Sequence, residues 1–137
     1  MSRKRVAILI SGRGSNMAAL IEAAKDKNFP AEIVLVLSNR PDAAGLNVAS
    51  AAGIATVVVD HKTYGKDRAA FDGAMQAALE QHRIELICLA GFMRLLTDGF
   101  VDGQLPTLNI ANEFIDFRDE FYESIVGWHG ATIAPKL

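Results

Sequence analysis

The sequence is poor in cysteine, has no long hydrophobic run and has almost no net charge, and each absence excludes a class of protein. Its 137 residues include one cysteine, so the chain can form no internal disulfide, as is typical of a reducing compartment. No apolar stretch approaches the roughly 20 residues of a membrane-spanning helix. A net charge of −2 does not favour nucleic acid or an acidic membrane as partner. We therefore expect a cytoplasmic globular protein that binds neither.

The chain also lacks a cluster of histidine, cysteine and carboxylate residues with the spacing of metal ligands. Its three histidines, His61, His82 and His129, lie far apart in the sequence. Zinc sites draw on such residues at short, fixed spacing. We expect no metal site, and we expect Cys88, which lies between Ile and Leu, to be a buried and inert thiol.

An apolar run that ends in a glycine-rich turn is the most informative feature that the sequence does have. The run from Val6 to Ile10 has no polar break, which predicts a strand covered on both faces, as in a parallel sheet. Two glycines, Gly12 and Gly14, follow. A dinucleotide fingerprint would need a third glycine where this chain has Met17, and a Walker loop would need Gly-Lys-Ser/Thr, which is absent.

The turn has the composition of an anion site. We name the segment of residues 12–16 the glycine loop; its residues are Gly12, Arg13, Gly14, Ser15 and Asn16. The glycines permit a tight turn and a close approach of the backbone to a ligand. Ser15 or Asn16 is expected to cap the following helix, whose free N–H groups and positive dipole end attract phosphate. A turn that needs glycine only for packing is the alternative.

Strands and helices alternate along the rest of the chain. The predicted elements are a helix over 15–25, a strand over 31–37, a short helix from 42 or 43 to Gly53, a strand over 54–59, a loop over 60–66, a helix over 67–82, and strands over 84–89 and 107–110. This order predicts an α/β, Rossmann-like, doubly wound and mostly parallel sheet. Ligands lie beyond the carboxyl ends of such strands, so loops 11–16, 38–42 and 90–96 should face one crevice, with His61 at its edge.

Four short motifs occur in an order and at a spacing that are highly specific as a set. They are Ile-Ser-Gly-Arg-Gly-Ser-Asn at 10–16, Leu-Ser-Asn-Arg at 37–40, Ala-Gly-Ile at 52–54 and Leu-Ala-Gly-Phe-Met-Arg-Leu-Leu at 89–96. Through them, the chain from residue 3 to about 110 resembles the phosphoribosylglycinamide formyltransferases, folate-dependent enzymes of purine synthesis. The resemblance implies the N-terminal half of the formyltransferase fold.

The resemblance also implies a role for each matching position. The glycine loop would hold the phosphate of glycinamide ribonucleotide, in agreement with the anion site predicted above. The pocket for the co-substrate 10-formyltetrahydrofolate would be lined by Phe92, Met93, Arg94, Leu95 and Leu96. An apolar slot suits the pterin, and backbone groups with Arg94 would satisfy its polar edge. Without the resemblance, we would interpret Phe92, Leu95 and Leu96 as core residues at the base of a helix.

The catalytic residues that the resemblance implies are only partly present. Formyl transfer needs an amine that attacks the formyl carbon, a group that stabilises the tetrahedral oxyanion and a route for protons. In the family an asparagine, a histidine two residues later and a distant aspartate do this work. Asn109 matches the asparagine, but Ala111 stands where the histidine should be. We therefore expect a truncated or altered form without the full catalytic machinery.

From Ala111 onward the sequence has no resemblance to the family. We divide the chain into a ribotide-binding part, residues 1–110, and an atypical C-terminal segment of the same domain, residues 111–137. Apolar residues at helical spacing predict an amphipathic helix in this segment: Phe114, Phe117, Phe121 and Ile125. Its apolar face could cover the sheet or could form a homodimer. His129 could replace the missing base, although a lone histidine near a C-terminus is usually solvated or packed.

Three functions stay open on the sequence alone. The first is formyl transfer by a truncated or altered member of the family. The second is a non-catalytic module that binds a phosphate-ribotide through the glycine loop. The third is a structural or regulatory protein whose C-terminal segment serves association.

Overall fold

The structure, a computed structural model, describes residues 3–29, 31–90, 92 and 107–109. These residues form helices and strands in the order β1 (Lys4–Ile10), α1 (Ser15–Ala24), β2 (Ala31–Ser38), α2 (Gly45–Ala51), β3 (Ala55–Val58), α3 (His61–Tyr64), α4 (Arg68–Gln81), β4 (Leu86–Leu89) and β5 (Thr107–Asn109). Within the described residues, the strands form one five-stranded sheet in the order β3-β2-β1-β4-β5, and each neighbouring pair is parallel. The predicted α/β, doubly wound parallel sheet is confirmed.

The first strand lies at the centre of the sheet and is covered on both faces, as its unbroken apolar run predicts. The side chains of Val6, Ile8 and Ile10 belong to one core cluster. Those of Ala7 and Leu9 belong to the cluster on the opposite face. All five side chains are fully buried, because successive residues of a strand point to opposite faces and helices pack on both.

Each face of the sheet has its own core. On one face α1 contributes Met17, Leu20 and Ile21, and α2 contributes Ala49. On the other face α4 contributes three buried side chains at helical spacing, Phe71, Met75 and Leu79. Both sets of residues repeat at helical spacing, in agreement with the helices predicted over 15–25 and 67–82. The helices therefore hold the sheet between them, and its carboxyl edge is left to the loops.

Two predicted elements differ from those in the structure. The short helix begins at Gly45, later than the predicted residue 42 or 43, because residues 40–44 form a turn in which the Ala43 N–H donates to the Arg40 carbonyl. The predicted loop 60–66 contains the one-turn helix α3. The Asp60 side chain accepts a hydrogen bond from the Lys62 N–H and caps this turn.

Charged side chains close the amino edge of the sheet. The Arg5 N–H donates to Glu85 Oε1 over 3.0 Å, and the Arg5 guanidinium donates to the His82 carbonyl oxygen. The His82 imidazole lies at the end of α4, where Nδ1 contacts the Ala78 carbonyl oxygen at 2.9 Å. His82 is therefore the C-cap of α4, where the helix predicted over 67–82 ends, and it lies at the edge opposite the glycine loop.

The C-terminal segment that the sequence sets apart lies outside the described residues. The predicted helix around Phe114, the division at residue 110 and the environment of His129 therefore stay predictions.

We expect Met75→Ala to lower the free energy of unfolding by about 2–5 kcal/mol, because it removes a fully buried side chain from the α4 face. Val48→Ala is the control, since Val48 is 40% exposed, and it should change stability by less than about 0.5 kcal/mol. Urea denaturation followed by circular dichroism measures both. Equal effects of the two substitutions would contradict the core as described.

Candidate functional site

The glycine loop leaves the sheet at the point where the order of the strands reverses. β1 pairs with β2 on one side, and the chain then continues outward to β3, whereas β4 and β5 lie on the other side of β1. In open parallel sheets, ligands bind beyond the carboxyl ends of the strands at such a reversal. Because Ile10 ends β1, the glycine loop that follows it lies at this position. The structure brings together two of the loops predicted to face one crevice, 11–16 and 38–42, through a hydrogen bond between Ser11 and Asn39. Of the third predicted loop, 90–96, the structure describes residues 90 and 92.

The N-cap of α1 is Gly14, and the prediction that Ser15 or Asn16 caps the helix is wrong. Gly14 has φ 72° and ψ 34°, the left-handed conformation that glycine adopts without strain, and the helix begins at the next residue. No side chain caps the helix. The first intrahelical bond runs from the Ala18 N–H to the Gly14 carbonyl oxygen, so the N–H groups of the preceding turn have no partner within the helix. Such groups are the donors of an anion site.

Gly45, a glycine that lies outside the four motifs, packs directly against the glycine loop. Its N–H donates to the Gly12 carbonyl oxygen over 3.0 Å. A Cβ on Gly45 would lie 2.5 Å from Ile10 Cδ1 and 3.1 Å from the Gly12 oxygen. A Cβ on Gly14 would lie 3.3 Å from the Gly45 Cα. The start of α2 and the glycine loop are therefore in contact through backbone atoms, and this contact fixes the path of the loop.

Cationic side chains lie near the same edge. Arg13, in the glycine loop, is exposed, and within the described part of the chain its guanidinium has no ion-pair partner. Arg40, in the loop after β2, instead forms an ion pair with Asp42 over 2.9 Å. The hydrogen bond from Arg40 to the carboxylate holds the pKa of Asp42 below the usual value, and the charge of Lys62 also lowers this pKa. Arg13 is thus the cation of this loop that an anion could recruit.

A buried polar chain joins the loops that follow β1, β2 and β3. Ser11 Oγ donates to Asn39 Oδ1 over 2.5 Å, and both residues are buried. The Asn39 carbonyl oxygen lies 3.2 Å from the backbone nitrogen of His61 and 2.9 Å from its ring Nδ1. His61 is half-buried beside these loops, in the region where the sequence predicts it. Ser11 and Asn39 belong to two of the four motifs, but no pattern in the sequence indicates that they contact each other.

The predicted folate side of the crevice is described only in part. Phe92 is half-buried and packs against the core cluster beneath α4, which agrees with the core-packing interpretation of that residue. Met93, Arg94, Leu95 and Leu96 lie outside the described residues. The backbone of Asn109 pairs with Leu89 at the carboxyl end of β5, so this residue reaches the same edge of the sheet as the glycine loop.

Cys88 lies in the middle of β4 and is fully buried, as predicted. Burial raises the pKa of its thiol well above the usual value, which keeps the sulfur protonated and unreactive. Among the described residues there is no group of three or more potential metal ligands. No helix in that part of the chain is long and apolar enough to cross a membrane.

The part of the sequence that forms the sheet and the glycine loop matches one known protein family. Residues 4–112 match the formyl transferase family. The chain belongs to this family. It is 50% identical over 99 residues to the human trifunctional purine biosynthetic protein adenosine-3, covering 72% of this chain and 10% of that protein. It is 37% identical over 95 residues to phosphoribosylglycinamide formyltransferase of Bacillus subtilis (strain 168), covering 69% of this chain and 48% of that protein.

Solved structures of formyl transferase family members have the same fold. The structure of phosphoribosylglycinamide formyltransferase from Brucella melitensis matches with a TM-score of 0.77 and 46% identity, over 84% of this chain and 60% of that one. The structure of the enzyme from Coxiella burnetii matches with a TM-score of 0.74 and 35% identity, over 84% of this chain and 54% of that one. The chain thus spans about half of the bacterial relatives and about a tenth of the human one. The resemblance inferred from the four motifs is confirmed.

We expect Gly45→Ala to lower the free energy of unfolding by about 1–3 kcal/mol, because the new methyl group would overlap Ile10 and the Gly12 carbonyl oxygen. Gly73→Ala is the matched control. A Cβ at Gly73, within α4, meets nothing within 4 Å, so this variant should gain about 0.5–1 kcal/mol from helix propensity. Thermal denaturation compares the two, and a neutral Gly45→Ala would argue against the close approach.

Cys88 should not react with a thiol reagent at pH 8 until the protein unfolds, because burial raises its pKa and blocks access to the sulfur. Absorbance with a disulfide reagent, with and without guanidinium, measures this. Val48→Cys, at a position 40% exposed, supplies a thiol that should react in the folded protein. Rapid labelling of the unsubstituted folded protein would contradict the buried position of β4.

Proposed function

We propose that the chain carries the ribotide-binding part of a phosphoribosylglycinamide formyltransferase of de novo purine biosynthesis. The reaction moves a formyl group from 10-formyltetrahydrofolate to the amine of glycinamide ribonucleotide. The observation that carries the proposal is the start of α1 at Gly14, next to the switch point of the sheet, where no side chain caps the first-turn N–H groups of the helix. The family match over residues 4–112 supports it.

In this proposal the glycine loop binds the phosphate of the ribotide. Backbone N–H groups of the loop and of the first helical turn donate to the phosphate oxygens, and the helix dipole adds to the attraction. Arg13 supplies a positive charge from the loop itself. We also assign to Asn16 the role of a side-chain donor to the phosphate. Gly45 contributes indirectly, because its N–H occupies the Gly12 carbonyl oxygen, which would otherwise repel an anion.

The formyl donor binds on the other side of the switch point. In the proposal, residues 92–96 line the pocket for 10-formyltetrahydrofolate, and Phe92 forms its base where it packs on the core. Asn109 donates its side-chain amide to the oxyanion that develops as the ribotide amine attacks the formyl carbon. The proton that the amine releases needs an acceptor, and Ala111 offers none at the position where the family has its histidine. No metal takes part in this scheme, and we propose a cytoplasmic location.

The alanine at position 111 favours a second candidate function, a module that binds the ribotide without transferring the formyl group. Such a module would keep the glycine loop and Arg13 and would need neither a base nor the folate pocket. The homodimer proposed for residues 111–137 would suit this role. Measurement of formyl transfer with both substrates, beside measurement of ribotide binding alone, distinguishes the two functions.

Asn16→Ala should weaken the binding of glycinamide ribonucleotide about tenfold, the effect of one lost hydrogen bond to a charged group. Isothermal titration calorimetry measures the dissociation constant. Asn28→Ala is the control, because Asn28 is exposed at the opposite edge of the sheet and should leave binding unchanged. An unaltered affinity of the Asn16 variant would reject its place in the site.

Ala111→His alone should not bring formyl transfer to the level of an intact family member, because the aspartate that partners the histidine in the family lies in a part that this chain does not match. The rate of formation of formylated ribotide, followed by the absorbance of the folate product, measures this. Ribotide binding by the same variant is the control and should stay unchanged. Full turnover after this single substitution would refute the interpretation that more than the histidine is missing.

A further inference from the structure

The polar chain of Ser11, Asn39 and His61 has no part in the phosphate contacts proposed above, yet it ends beside them. Ser11 immediately precedes Gly12, so any shift of Ser11 moves the beginning of the glycine loop. Ser11 and Asn39 are 4% and 2% exposed, so water cannot replace a lost partner of either group at low cost. These hydrogen bonds join the end of β1 to the end of β2 and then to α3, so they connect segments that are distant in sequence.

The position of the ring proton of His61 follows from its contacts. Nδ1 lies 2.9 Å from the Asn39 carbonyl oxygen and 3.3 Å from Asn39 Nδ2. A carbonyl oxygen can only accept, so the shorter contact requires a hydrogen on Nδ1. The approach of Nδ2 to the same nitrogen is then a packing contact. The backbone N–H of His61 donates to the same oxygen over 3.2 Å, so one residue holds the Asn39 carbonyl with two donors.

The backbone and the side chain of Asn39 form hydrogen bonds with different partners. Its backbone carbonyl oxygen is held by His61, which lies at the start of α3. Its side-chain Oδ1 accepts the hydroxyl hydrogen of Ser11. The hydrogen bond from Ser11 holds the buried carboxamide, and the two donors of His61 hold the backbone carbonyl of Asn39. The imidazole thereby restrains the residue that holds the beginning of the glycine loop.

We infer that His61 and Asn39 are positioning residues for the glycine loop, acting through the hydroxyl of Ser11 to hold the loop in the conformation that accepts an anion. This inference rests on the proposed function of the loop as a phosphate site. Neither residue needs to touch the ligand, and the effective atom of His61 is Nδ1, not Nε2.

Three substitutions of His61 distinguish the two ring nitrogens. An asparagine side chain can bring an N–H donor to the position of Nδ1, whereas a glutamine side chain mimics Nε2 and leucine donates nothing. We expect His61→Asn to bind glycinamide ribonucleotide within about twofold of the unsubstituted chain. His61→Gln and His61→Leu should each bind about tenfold more weakly, because the Asn39 carbonyl loses its second donor. Calorimetric titration with the ribotide measures these constants.

His82 offers a matched control for these variants. Its Nδ1 also lies 2.9 Å from a backbone carbonyl oxygen, that of Ala78, but at the opposite edge of the sheet. His82→Leu should lower stability and leave the affinity for the ribotide unchanged. A general loss of stability therefore cannot imitate the expected pattern.

The amide resonances of Gly12 and Gly14 give a readout that needs no ligand. In ¹H–¹⁵N spectra they should shift in His61→Leu and His61→Gln and stay in place in His61→Asn. If the unsubstituted chain binds no ribotide, the proposed function fails while the spectra still decide the positioning role. Unmoved glycine amides in all three variants would overturn the inference, as would ribotide binding that His61→Gln retains and His61→Asn loses.

Discussion

Two segments of backbone touch where Gly14 meets Gly45, and the form of the whole carboxyl edge depends on that contact. A Cβ on either residue would come within 3.3 Å of the other segment, or nearer. The contact lets the Gly45 N–H reach the Gly12 carbonyl oxygen, which turns that oxygen toward α2. The N–H groups at the beginning of α1, beside this contact, have no partner within the helix and no side-chain cap. The proposed phosphate site is a consequence of this arrangement more than of any charged side chain.

The sequence was sufficient to predict the sheet and its order of elements. The run from Val6 to Ile10 predicted a strand covered on both faces, because every position in it is apolar, and both faces are indeed packed. The stripes of α1 and α4 repeat at helical spacing, so their buried sides followed directly from the pattern. Gly53 ends the region of α2 with φ 78°, as expected of a glycine that follows a helix. Each of these features depends on residues that are close together in the chain.

The parts that could not be predicted depend on residues that only the fold brings together. Gly45 is an ordinary glycine in the sequence, and its importance comes from a loop about 30 residues earlier. Asn39 belongs to a motif, but no pattern in the sequence indicates its contact with His61, which arises only where β2 and β3 end side by side. Helix α3 is a single turn fixed by the Asp60 cap, too short for a periodic pattern to reveal. Gly14 is the N-cap of α1 although Ser15 and Asn16 follow it, and the residue preferences for N-caps favour serine and asparagine over glycine.

The central position of β1 has a consequence for the nascent protein. Of the five described strands β1 is synthesised first, and β2 can pair with it early, but the other neighbour of β1, β4, begins only at Leu86. The bond between the Arg5 N–H and Glu85 joins residues 80 positions apart, so the closing step must bring together the ends of a long loop. Until then one edge of β1, whose last five residues are all apolar, stays unpaired, and such an edge readily accepts a strand from another chain. This apolar run is therefore an aggregation hazard during translation, and pairing with β4 removes it.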